Sequence, residues 1–233
     1  MNAKSLTGQA AVSPEAPAQC GICPRLAAFR KRWRDNEPNW YNGAVSSFGD
    51  PKAALLIVGL APGLRGANRT GRPFTGDFAG DLLYRAIARY GFSEGTYAAN
   101  PNDGLKLKNC MITNAVRCVP PENKPRSQEI NACRSFLAAR ILAMPKLKAI
   151  LCLGKISHDS VVRAFGARPA HFPFAHGALH IIENIKVFDS YHCSRYNTNT
   201  RKLTENMFFD VFAQVKKSLS SAPKMSSMRR LSA

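Results

Sequence analysis

Four cysteines fall into two clusters: Cys20 and Cys23 form a C-x2-C near the start of the chain, and Cys118 and Cys133, spaced C-x14-C, follow more than ninety residues later. Brought together by a fold, two such pairs offer four thiolates to one metal centre. Tetrahedral thiolate sites suit either zinc or an iron–sulfur cluster, so the ligand set alone leaves the metal open. Zinc ribbons place their pairs closer and use C-x2-C twice. The wide spacing therefore favours a centre that ties an N-terminal segment onto a larger domain. The plain alternative is a set of ordinary buried thiols with one chance C-x2-C.

Composition narrows the partners. The 233 residues are 45% hydrophobic, enough to bury one full core. The net charge of +18, from 33 Lys and Arg against 15 Asp and Glu, calls for a polyanion, with nucleic acid the leading candidate. No apolar run is long enough to span a bilayer and no basic amphipathic helix stands out, so no membrane partner is expected. Residues 1–15 lack an apolar stretch of the secretory kind. Seven cysteines, an odd count, fit a reducing cytoplasm better than a disulfide scaffold.

The elements that must position these residues alternate along the chain. Residues 1–17 and 220–233 are expected to be mobile tails, the second of them basic, around one domain at 18–219. Apolar runs at 53–59, 109–116, 147–153 and 180–190 read as strands, the last as a strand or strand pair. Segments 77–90, 127–144, 156–165 and 204–219 have helical spacing, with Thr204 as an N-cap. Strands alternating with helices predict an α/β fold, a parallel sheet covered on both faces. In such folds ligands bind beyond the carboxyl ends of the strands.

Three loops at those ends carry unusual chemistry. The first, Gly59 to Asp77, is rich in glycine but has neither G-x-G-x-x-G nor a P-loop ending, which argues against a dinucleotide or nucleoside triphosphate. Its Arg65, Arg69 and Arg72 can meet phosphates, and Phe74 offers a face for a base, although a core position is the commoner fate of a Phe. Asp77 could equally cap the helix that it precedes. The second loop follows Asn114, whose amide suits the edge of a pyrimidine, and contains Arg117, Lys124 and Arg126 as further phosphate-facing groups. The third contains His192, the one histidine of five in a polar loop at a strand end; His158, His171, His176 and His180 read as structural or surface residues. Cys110 and Cys152 read as core thiols on strands.

Taken together, Cys20 to Leu26, Phe48 to Pro51, the Gly59–Asp77 loop, Asn114 to Pro125 and the His192–Thr204 loop resemble the iron–sulfur uracil-DNA glycosylases, most closely the family 5, type B, branch. The resemblance covers nearly the whole chain outside the tails. It implies a three-layer α/β/α fold with a small, mainly parallel sheet and a [4Fe-4S] cluster on Cys20, Cys23, Cys118 and Cys133. It further implies a monomer acting on double- and single-stranded DNA that contains uracil or other damaged bases. By the same resemblance Asn114 reads the base, Phe74 stacks on it, Asn197 lines the pocket, His192 stands beside the scissile bond and Asp77 handles water. Gly63, Cys193 and Tyr196 depart from the residues expected in that branch. A non-catalytic iron–sulfur DNA-binding protein and an enzyme of free nucleosides are the rival readings; the first needs neither Asp77 nor His192, and the second needs no such positive charge.

Overall fold

In the computed structural model, residues 13–220 are described. The chain begins with helix α1 (Pro24–Asn36), then strands β1 (Phe48–Gly49) and β2 (Leu55–Gly59) and helices α2 (Ala67–Thr70) and α3 (Phe78–Arg89). Two short strands, β3 (Ser93–Glu94) and β4 (Lys106–Leu107), pair with each other and precede β5 (Cys110–Asn114). After them come α4 (Ser127–Leu142), β6 (Ala149–Leu153), α5 (Lys155–Ala164), β7 (Leu179–Ile182), β8 (Ile185–Ser190), α6 (Arg195–Asn199) and α7 (Glu205–Ser220).

The main sheet has the order β1-β5-β2-β6-β8-β7. Its four central strands are parallel, and β1 and β7 close the edges in antiparallel fashion. Every residue of β2, β5 and β6 is buried, which is why each reads as an unbroken apolar run rather than an alternating one. The alternation emerges in the packing. Leu55 and Ile57 face α3 and α7, whose apolar stripe includes Leu83, Ile87, Phe208 and Phe212. Leu56 and Val58 face α4 and α5 through Leu137, Ile141, Val161 and Val162. These are the three layers expected, and all four parallel strands present their carboxyl ends on one side. Cys110 and Cys152 are fully buried strand residues, as read from the sequence.

Glu15 and Ala16, expected to lie in a mobile tail, are packed against the domain. Glu15 accepts hydrogen bonds from Arg117 Nη1 at 3.0 Å, from Arg140 Nη2 at 2.5 Å and from the Ser47 amide at 2.9 Å, and Ala16 is buried beside the cysteines. One carboxylate thus neutralises two buried guanidinium groups, so the chain is already docked before Cys20. The expected mobile residues 1–12 and 221–233, including the basic stretch at 224–230, lie outside the described residues. Among the described residues no helix is long and apolar enough to cross a membrane.

Candidate active site and thiol cavity

The ends of β2 and β5 meet where Gly59 stands opposite Asn114. A side chain at Gly59 would collide with both the Asn114 amide and the Phe74 ring, so glycine is what lets these two groups share one floor. Asn114 is 2% exposed and its Oδ1 has no hydrogen-bond partner. A buried polar atom without a partner is costly, and here it faces an open cleft.

That cleft, about 630 Å³, is bordered by Leu60, Gly63, Arg65, Phe74, Asp77, Asn114 and His192. Phe74 has a left-handed backbone (φ +53°), unusual for a bulky residue. Its loop is braced to hold it there. Tyr97 Oη donates to the Phe74 carbonyl at 3.2 Å and Tyr84 Oη to the Pro73 carbonyl at 2.8 Å. The Phe74 ring lies 5.9 Å from that of His192, at 28°.

Arg72 requires a correction. It does not reach outward to phosphate: its guanidinium makes two 2.7 Å bonds to the Asp103 carboxylate and a 2.8 Å bond to Thr75 Oγ1, beneath the rings of Phe48, Tyr84 and Tyr97. Its side chain is 6% exposed. The Arg72–Asp103 pair therefore braces the loop that carries Phe74. Arg117 is likewise turned inward, to Glu15. Arg65 and Arg69 are exposed, but only Arg65 borders the cleft, while Arg69 faces a separate surface beside Tyr41. Lys124 and Arg126 are exposed.

Asp77 fulfils the capping expectation with one oxygen only. Its Oδ1 accepts from the Gly80 amide at 3.0 Å at the start of α3. Its Oδ2 faces Gly63 and Gly66, and an added Cβ at Gly63 would lie 2.9 Å from it. Burial raises the Asp77 carboxyl above its ordinary value, more than the Gly80 and Ala79 amides lower it, and nearby Asp81 adds to the rise. The capping and cleft-facing roles are thus compatible in one side chain.

His192 follows β8 and backs onto Gly154, whose φ of +94° and missing side chain leave room for it. Burial lowers its pKa to about 4, so the ring is neutral at physiological pH and can still donate an N–H. Asn197 borders an adjoining pocket that shares Leu60 and His192 with the cleft. Its Nδ2 donates to the His192 carbonyl at 2.8 Å, fastening the loop from behind. Arg195, at the start of α6, and Asn123, in the segment between β5 and α4, which the sequence reading left unassigned, also border the cleft.

The four cysteines of the two clusters converge. Cys20, Cys23, Cys118 and Cys133 line one small cavity with Leu26, Val116 and Phe136 around it. Burial pushes the Cys118 thiol to about 12 and that of Cys133 to about 11, and the Arg117 amide donates to Cys133 Sγ at 3.3 Å. Thiols so placed stay protonated unless a cation ionises them, so the donor set fits metal binding. A second group, Cys152, His158 and Asp189, also clusters within 4.8 Å. There, however, both ring nitrogens of His158 are engaged, Nδ1 with Asp189 Oδ1 at 2.8 Å and Nε2 with the Phe172 carbonyl at 2.7 Å. That group is a buried ion pair and leaves no lone pair of His158 for a metal.

Comparison with known proteins agrees with this geometry. Residues 46–216 match the family described as the uracil DNA glycosylase superfamily. A type-5 uracil-DNA glycosylase of Thermus thermophilus is 40% identical over 205 residues, covering 85% of this chain and 93% of that one. One from Pyrobaculum aerophilum is 36% identical over 196 residues, 82% of this chain and 85% of its own. A type-4 uracil-DNA glycosylase of Sulfurisphaera tokodaii is 34% identical over 173 residues, 71% of each chain. With its sheet, its cleft and its sequence all in agreement, this chain belongs to the uracil DNA glycosylase superfamily.

Proposed function

We propose that this chain is a repair glycosylase that takes uracil out of the DNA stack and hydrolyses its bond to deoxyribose, leaving an abasic site. The observation that carries this is the cleft, where the unpartnered Asn114 Oδ1, the Phe74 ring, a neutral His192 and the Asp77 carboxylate border one space. A base inside a duplex is out of reach of any such cleft, so the nucleotide must be extruded at a cost of a few kcal/mol. Stacking on Phe74 and hydrogen bonding to Asn114 offset that cost.

As the bond from C1′ to the base nitrogen breaks, its electron pair leaves with the base and positive charge grows on the sugar. An N–H from His192 stabilises the departing anion at a base oxygen; being neutral, it does so by hydrogen bonding rather than by full proton transfer. Asp77 Oδ2 faces the cationic sugar and orients the water whose oxygen bonds to C1′. The water's proton passes through this carboxylate to solvent. Arg65 at the cleft rim meets phosphate, and Arg69 extends the basic surface.

The thiol cavity is read as the seat of a [4Fe-4S] cluster with a structural task. Cys20, Cys23, Cys118 and Cys133 line one cavity, and this four-thiol donor set, together with the likeness to type-5 uracil-DNA glycosylases, supports that reading. Such a cluster would clip the segment before α1 to the loop beyond Asn114; no chemical step passes through it. We further propose that the protein acts as a monomer in the cytoplasm, on double- and single-stranded DNA, and accepts other deaminated bases.

Cleavage of a uracil-containing duplex after alkaline treatment, together with iron and sulfide analysis of the purified protein, tests both parts. No strand scission at uracil would overturn the enzymatic reading, and stoichiometric zinc without iron would overturn the cluster.

A further inference from the structure

Arg30 lies on α1 and is 3% exposed. Its Nη1 donates to the Ala18 carbonyl at 2.6 Å and its Nη2 to the Cys20 carbonyl, while Nε is buried without any partner. No carboxylate pairs with it among the described residues. The contrast with its neighbours is informative. Arg117 and Arg140 are equally buried, yet both are neutralised by Glu15. The Arg117 backbone amide donates to Cys133 Sγ.

A buried guanidinium without a counter-ion is among the most expensive things a fold can contain. Two backbone carbonyls solvate it but do not balance its charge. The groups that can are the thiolates. Arg30 reaches them through the backbone of the ligand segment itself, since its Nη2 donates to the carbonyl of Cys20. Four thiolates around a four-iron cluster in its ordinary oxidised state carry a net negative charge, which a nearby buried cation offsets.

We infer that Arg30 is the built-in counter-charge of the thiolate-bound cluster, a positioning residue that retains the cluster and sets its electron affinity. The inference rests on the cluster reading above. It also assigns a reason for a guanidinium with no carboxylate partner among the described residues: it is tolerated in the interior because the loaded cavity is anionic. The competing role is a mere clip that ties Ala18 and Cys20 to α1 by hydrogen bonds.

Charge separates the two roles, using the loaded protein as purified. Arg30→Gln keeps amide donors for the carbonyls and removes the charge; Arg30→Lys keeps the charge and loses the fork. Iron release into a chelator, followed by visible absorption, and the midpoint potential of the bound cluster are measured for each. Arg30→Gln is expected to release iron about 10- to 100-fold faster, the usual cost of removing a group behind a metal ligand. What cluster remains should have a more negative midpoint potential, because the reduced, more anionic form loses its neighbouring cation. Arg30→Lys should keep the native potential. If Arg30→Gln yields no folded protein, Arg30→Lys still decides, since a midpoint potential displaced from the native one in this charge-conserving variant would overturn the inference. Native release and potential in Arg30→Gln would overturn it too. A native protein free of iron would instead defeat the cluster reading, so the two failures are distinct.

Discussion

The replacement Asp77→Asn tests the chemistry most sharply, because the structure divides the two oxygens of this side chain between two tasks. Oδ1 caps α3 through the Gly80 amide at 3.0 Å, and Oδ2 faces the cleft past Gly63 and Gly66. Asparagine is as good an N-cap as aspartate, so the cap survives. One negative charge is lost. At roughly 5 Å from the cationic sugar and an effective dielectric of about 20, that charge contributes about 3 kcal/mol. The single-turnover rate on a uracil duplex should therefore fall roughly 100- to 300-fold. Stability should move the other way. Burial holds the folded pKa of Asp77 above its ordinary value, so the folded chain binds this proton more readily than the unfolded one. The ionised carboxylate then costs stability at neutral pH, and the cost fades as pH falls through the folded pKa. Asp77→Asn should unfold at an equal or higher urea concentration than the native chain. It should also lack the acid limb of the native rate profile, whose midpoint lies above that of an ordinary Asp. An Asn variant that cleaves at the native rate, or loses rate only in step with lost stability, would refute the reasoning.

Other perturbations separate positioning from contact. Arg72→Ala should leave a buried Asp103 unpaired and cost about 3–5 kcal/mol in urea unfolding, while the salt dependence of DNA binding stays native. Arg65→Ala, by contrast, should leave stability unchanged and reduce the salt slope of DNA affinity by about one ion. His192→Ala should slow cleavage most for the bases that form the least stable anions, measured across a series of substituted uracils in single turnover. For His158, burial opposes its charge but the bond and charge of Asp189 and the Phe172 carbonyl outweigh this, raising its pKa. The stabilisation is fully present below the unfolded value of about 6.5 and disappears as pH rises through the folded one. The native urea midpoint should thus decline over that window, and His158→Gln should abolish the decline.

The layered fold was legible in the sequence because β2, β5 and β6 are buried on both faces and bounded by glycine or turn residues. The two-residue strand β1 was not, since Phe48–Gly49 carries no periodic signal, and β3 and β4 are too short to carry one. Among site residues, strand-end position pointed to Asn114, Asp77 and His192 because it is a local property. Arg72 misled because its partner, Asp103, lies 31 residues downstream, and sequence shows an arginine in a loop without showing what covers it. The same holds for Arg117, whose partner Glu15 was read as part of a tail. Asn197 was read as a pocket residue, but the direction of its amide, toward the His192 carbonyl, is set by the loop's closure, which no spacing reveals.

The separation of the two halves of the thiol cavity has a consequence in time. The chain is made from its amino end at roughly 5–20 residues per second. Cys20 and Cys23 therefore emerge several seconds to some tens of seconds before Cys133 completes the set. During that interval the first pair waits without its partners, and so does Glu15, whose two arginines have not yet been synthesised. Loading of the cavity can then begin no earlier than Cys133, a point at which β2 and β5 have been made and β6 and β8 have not.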